Sequence, residues 1–130
     1  MSDPCGLKPG YYYITNRYDQ CVGACHSKIV VKGEKTRFCV KKIQGPTCLY
    51  QITLDNDYIQ HNGSLVNAGH INQLWVIEQW GQVYSVKEAG TDLAWTDPGS
   101  AGNPVSHDRQ LYLSSLNAAL PQQQFKFNKV

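Results

Sequence analysis

The chain predicts an all-β fold built from repeated units, and three observations carry that expectation. The first is period-two patterning at mid-chain. Trp75 and Ile77 share one face of Leu74-Trp75-Val76-Ile77-Glu78, and Tyr84 and Val86 share one face of Gln82-Val83-Tyr84-Ser85-Val86. The Gln79-Trp80-Gly81 link between them is short enough for a hairpin. The second is recurrence. A similar aromatic spacing returns in Tyr12-x-Ile14, Tyr50-x-Ile52 and Phe125-x-Phe127, as expected of a chain made of repeated units. The third is punctuation by turn residues, including Gly33-Glu34, Gly45-Pro46, Asp55-Asn56-Asp57, Asn62-Gly63, Ala89-Gly90, Asp97-Pro98-Gly99 and Gly102-Asn103-Pro104.

Strands are expected over 11–15, 21–23, 29–32, 37–42, 49–54, 58–60, 64–67, 74–78, 82–87, 93–96, 110–114 and 124–129. Leu116, Ala119 and Leu120 have helical spacing, but Pro121 leaves room for little beyond a turn. About twelve short strands with a threefold aromatic signature favour a β-trefoil over a two-sheet sandwich. On that reading the first unit ends near Leu54, a shortened middle unit occupies about 55–80, and the last runs from Gly81 to Val130.

The 130 residues make one domain, spanning 1–130, with enough chain for a single core. Charged residues are only 17% and the formal net charge is +2, which argues against the basic stripe that nucleic acid requires. Lys32, Lys35, Arg37, Lys41 and Lys42 form a local basic segment, read as solvated strand edges and a hairpin tip in preference to a polyanion site. No apolar run reaches membrane-spanning length. Met1-Ser2-Asp3-Pro4 lacks the basic and hydrophobic regions of a signal peptide. All five cysteines (Cys5, Cys21, Cys25, Cys39 and Cys48) lie in the first 48 residues. Two bridges and a free thiol leave fifteen possible connectivities. The expectation is at least one disulfide within that segment, contributing about 2–4 kcal/mol, and secretion is favoured over the cytoplasm. Asn62-Gly63-Ser64 fits a glycosylation acceptor.

Gly10-Tyr11-Tyr12-Tyr13-Ile14-Thr15-Asn16, Cys21-Val22-Gly23, Trp75-Val76-Ile77-Glu78 and Val83-Tyr84-Ser85-Val86 together resemble the small fungal β-trefoil proteins, most of all the mycospin serine protease inhibitors. Ricin-type trefoil lectins are the related alternative. Gln73-Leu74-Trp75 is the Gln-x-Trp triplet of those lectins, whereas Gln123-Gln124-Phe125 has Phe in place of Trp. The cysteine-rich first third belongs to neither pattern. The resemblance implies a β-trefoil whose function is protease inhibition or, alternatively, carbohydrate binding.

No phosphate loop, zinc-protease helix or nucleophile elbow is present, and neither enzymatic activity, a cofactor nor a metal is expected. Cys25 beside His26 is read as structural, because neighbours on a strand diverge. Inhibition requires an exposed loop held rigidly enough to enter a protease cleft at low ordering cost. A trypsin-type serine protease, the first expectation, takes Lys or Arg at its pocket; Lys28, Lys35, Arg37 and Arg109 are the basic candidates. In Ser115-Leu116-Asn117-Ala118-Ala119-Leu120-Pro121, Asn117 is the expected tip, held between Leu113 and Phe125. It suits an asparagine-specific cysteine protease, a target of related mushroom trefoils. For the lectin alternative, Trp95 would stack on a sugar while Asp92, Asp97 and Asn103 take its hydroxyls; the competing reading turns Leu93 and Trp95 inward. The partner is therefore a protease or a glycan, and the chain is expected to act as a monomer.

Overall fold

The alternation of apolar and polar residues becomes strand in the described parts of the chain. The computed structural model describes residues 5–32, 34–43, 45, 48–99, 108–117 and 119–130. The first unit contributes β1 (Gly10–Asn16), β2 (Val22–Cys25), β3 (Lys28–Val31) and β4 (Arg37–Lys42). The second contributes β5 (Leu49–Leu54), β6 (Asp57–Asn62), β7 (Leu65–Gly69) and β8 (Leu74–Trp80). The third contributes β9 (Val83–Glu88), β10 (Leu93–Thr96), β11 (Arg109–Gln110), β12 (Tyr112–Ser115) and β13 (Phe125–Lys129), with one 3-10 turn at Pro121–Gln123.

The first and last long strands of each unit close a barrel. β1 pairs β4, β4 pairs β5, β5 pairs β8, β8 pairs β9, β9 pairs β13, and β13 returns to β1, all antiparallel. Such closure removes sheet edges. The remaining strands cap one end as three hairpins, β2–β3, β6–β7 and β10–β12. The hairpins are joined through Lys28 opposite Asn67 and Leu65 opposite Tyr112. The two-residue β11 ties the third hairpin to β3 through Arg109 opposite Val31. A six-stranded barrel under a triplet of hairpins is a β-trefoil.

The threefold signature lines the core. Tyr12 and Ile14, Tyr50 and Ile52, and Tyr84 and Val86 occupy the opening strands of the units. Phe38 and Val40, Trp75 and Ile77, and Phe125 and Phe127 occupy the closing strands. All are buried except Tyr84 and Phe127, which pack partly buried against the core. The Trp75 indole N–H, unable to reach water, donates to the Ile59 carbonyl at 2.9 Å.

The three opening tyrosines also explain the amino-terminal segment. Their hydroxyls donate to consecutive carbonyls, Tyr12 to Lys8, Tyr50 to Leu7 and Tyr84 to Gly6. Leu7 is buried among the core side chains, so the segment plugs the barrel end away from the hairpins. A Cys5–Cys48 disulfide fastens it to the residue just before β5. The expected bridge is therefore present within residues 5–48, and Cys21, Cys25 and Cys39 are free thiols.

Two boundaries differ from the sequence expectation. The Tyr50-x-Ile52 strand opens the second unit instead of closing the first, because β5 pairs with β8 as well as β4. The middle unit is the shortest of the three, yet it keeps all four strands over Leu49–Trp80. The strand expected at 110–114 is split at Leu111 into β11 and β12, each serving a different partner.

Candidate functional site

The connection from β12 to β13 is fastened from beneath by one side chain. Gln123 is buried at 1% exposure. Its amide oxygen accepts the Asn117 backbone N–H at 2.6 Å, and its amide nitrogen donates to the Ser115 carbonyl at 2.9 Å and to Thr96 Oγ1 at 3.1 Å. The Leu116 N–H donates to the Asp92 carbonyl at 2.7 Å, which ties the same loop to the start of β10. Leu113 and Phe125 anchor its ends in the core as expected. Asn117 is exposed. It is not the tip but the first corner of a turn, with its carbonyl accepting the Leu120 N–H at 2.9 Å and its side-chain oxygen accepting the Ala119 N–H at 3.1 Å.

The basic candidates divide. Lys35 is exposed in the β3–β4 connection, with its ammonium 4.3 Å from the Tyr13 ring centroid. Arg37 is the exposed first residue of β4, its guanidinium 4.8 Å from the Tyr11 ring centroid. The Val22-Gly23 pair supports that connection, because a Cβ on Gly23 would fall 2.4 Å from the Glu34 carbonyl oxygen. Lys28 is exposed but belongs to β3, opposite Cys25. The intervening His26–Ser27 turn has left-handed φ at both positions, 51° and 68°, and is too tight to enter a cleft in extended form.

Arg109 is a correction to the reactive-loop set. Its side chain is only 8% exposed and forks onto both oxygens of Asp97 at 2.6 Å. It also donates to the Gln20 side chain at 2.9 Å, so its charge is spent inside the protein. Burial on its own pushes the Asp97 carboxyl up. Hydrogen bonds from Arg109, the Gly99 N–H and Asn16, with the Arg109 charge, outweigh it and hold the carboxyl below the ordinary carboxylate range. A carboxylate chosen for a sugar and a guanidinium chosen for a protease thus satisfy each other.

Trp95 is the second correction. It is fully buried and packs edge-on against Trp75 at 5.6 Å and Phe125 at 5.9 Å, leaving no ring face for a sugar. The inward reading of Leu93 and Trp95 describes its position, since Leu93 packs against the same core. Asp92 is exposed, and Asn103 lies outside the described residues. Trp95, Asp92 and Asp97 therefore do not converge on an open site. Gln123 and Asn16 entered the sequence reading only as members of the Gln123-Gln124-Phe125 triplet and the Gly10–Asn16 motif, with no role as braces, and Gln20 did not enter it at all.

Barrel, hairpin triplet and braced connections define a protein of the β-trefoil class. Among solved structures it is similar to a proteinase inhibitor from Coprinopsis cinerea, with TM-score 0.79 and 18% identity over 96% of this chain and 100% of that one. It is also similar to the Macrolepiota procera ricin B-like lectin in complex with lactose, with TM-score 0.75 and 12% identity over 95% and 99% of the chains. A designed three-fold symmetric protein matches with TM-score 0.73 and 12% identity over 93% and 99%. These likenesses establish the fold, which both inhibitors and lectins share. No protein-family model and no curated protein matches the chain by sequence.

Proposed function

We propose that the chain is a reversible protease inhibitor, with no chemistry of its own, that presents the 115–121 connection to a protease cleft. The observation that carries the reading is the Gln123 brace, which holds the Asn117 N–H from below while the side chain stays exposed. A loop fastened in this way loses little freedom on docking. The match to the Coprinopsis cinerea proteinase inhibitor, over 96% of this chain and 100% of that one, supports it. The burial of Trp95 and the internal pairing of Asp97 weigh against a lectin that uses those residues.

Asn117 presents an amide, and the finer proposal is an asparagine-specific cysteine protease as target. A trypsin-type serine protease would instead take Lys35 from the β3–β4 connection, Arg109 being enclosed. Inhibition constants measured against both enzyme types decide between them. Asn117→Ala is expected to weaken inhibition of the asparagine-specific enzyme about ten- to a hundredfold, or about 1–3 kcal/mol, without lowering thermal stability. Inhibition unchanged by Asn117→Ala removes this loop from the mechanism. Failure to inhibit any protease of either type removes the proposed function.

A further inference from the structure

A groove lies on the outer barrel wall formed by β1, β4 and β5, and it shares no residue with the Asn117 connection. Register places Tyr13 opposite Arg37 and aligns Tyr11, Cys39 and Thr53 in one row across the three strands. From this wall Arg37 leans over Tyr11 and Lys35 covers Tyr13. Neither cation has a carboxylate partner among the described residues. Each is instead held against a ring face, which restricts a long side chain without neutralising it. The groove has a volume of about 570 Å³, and Thr36, Asp55 and Asn56 complete its polar lining.

Two adjacent, oriented cations call for an oxyanion, and the planar guanidinium matches the two oxygens of a sulfate or carboxylate. Asp55 narrows the choice. A densely charged polymer laid along the groove would meet its carboxylate, whereas a ligand carrying a hydroxyl beside its anionic group would donate to it. Asn56 and the Thr53 hydroxyl add partners suited to further hydroxyls. An acidic peptide is the weaker fit. β4 is paired on both sides by β1 and β5, so an extended chain finds no free strand edge here.

We propose that this groove binds an acidic saccharide, its sulfate or carboxylate held by Arg37 and Lys35 and its hydroxyls by Asp55, Asn56 and Thr53. The site lies away from the residues considered for sugar recognition in the third unit, and it does not depend on protease inhibition.

Calorimetric titration of the whole protein tests the proposal, with a sulfated disaccharide, a uronic-acid disaccharide, their uncharged counterparts, inorganic sulfate and an oligoglutamate peptide as probes. At least one acidic disaccharide is expected to bind, more weakly as salt rises, and the uncharged sugars are expected not to. Arg37→Gln and Lys35→Gln should each reduce affinity about tenfold or more, as loss of a charge-assisted contact requires, with the fold kept and only the small loss of stability that the vacated ring contact carries. Asp55→Ala should separate the two halves of the site by strengthening inorganic sulfate while weakening the disaccharide. The proposal fails if no acidic disaccharide binds, or if oligoglutamate binds more tightly than the sugars. It also fails if Arg37→Gln and Lys35→Gln leave binding unchanged, or if Asp55→Ala shifts sulfate and disaccharide in the same direction.

Discussion

At the scale of single residues, the Asp97–Arg109 pair decides how the molecule responds to acid. Both side chains are almost fully enclosed, at 7% and 8% exposure. The folded carboxyl has its pKa lowered relative to the unfolded chain. Its contribution to stability is therefore present above the unfolded carboxylate pKa and is lost as pH falls through the folded value. Asp97→Asn leaves the Arg109 charge buried without a counterion, a loss of about 3–5 kcal/mol for a broken buried pair. Urea unfolding of both proteins across the acid range checks the sign. The stability gap should be widest near neutrality and should narrow as Asp97 of the parent protein protonates. A constant gap would show that the carboxylate charge is not what the site uses. Each residue read alone invites a ligand role, since nothing local to Asp97 or Arg109 shows that the fold brings them together.

At the scale of elements, the β12–β13 connection depends on a side chain outside the exposed segment it controls. Gln123 stands in the turn Pro121–Gln123, where Pro121 supplies a preset φ at the first position. Its side chain reaches Asn117, Ser115 and Thr96 at once. Gln123→Ala takes the acceptor from the Asn117 N–H and a donor from the Ser115 carbonyl, while Thr96 keeps its bonds to Ala94 and Ser114; it should lower stability by about 1–3 kcal/mol in thermal or urea unfolding. It should also weaken inhibition even though Asn117 itself is intact, because the loop then loses more freedom on docking. Unfolding data and inhibition constants from the same variant separate these effects. Lost stability with unchanged inhibition would make Gln123 a purely structural residue. Pro121 and the flanking Leu113 and Phe125 made the loop legible in sequence, and Gln123 stood out only as the first residue of the Gln123-Gln124-Phe125 triplet; its bracing role emerges only when its partners are assembled.

At the scale of the whole molecule, pseudo-threefold repetition does more than build a barrel wall. Tyr12, Tyr50 and Tyr84 converge on the carbonyls of Lys8, Leu7 and Gly6, so one asymmetric segment satisfies three repeated hydroxyls. The Cys5–Cys48 bridge keeps that plug in place across 43 residues of sequence separation. Cys5→Ser is expected to lower stability by about 2–4 kcal/mol, mainly by freeing the unfolded chain. Alkylation of the unreduced, unfolded protein followed by mass measurement should label Cys21, Cys25 and Cys39 only. Labelling at all five cysteines would remove the bridge and its contribution.

The sequence by itself determined the all-β class, the positions of nearly all strands and the aromatic residues that fill the core. Period-two burial is a local property, and Tyr12-x-Ile14, Tyr50-x-Ile52 and Trp75-x-Ile77 carry it without reference to distant partners. Unit boundaries were less legible, because Tyr50-x-Ile52 has the same pattern whether its strand closes one unit or opens the next. Only its pairing with β8 assigns it. The tertiary structure alone decided which polar groups remain available to a partner. It enclosed Trp95 and joined Asp97 to Arg109, while Lys35 and Arg37 remained outside on tyrosine faces. Exposure and charge pairing depend on what long-range strand closure brings alongside each side chain, and neither residue type nor spacing encodes that by itself.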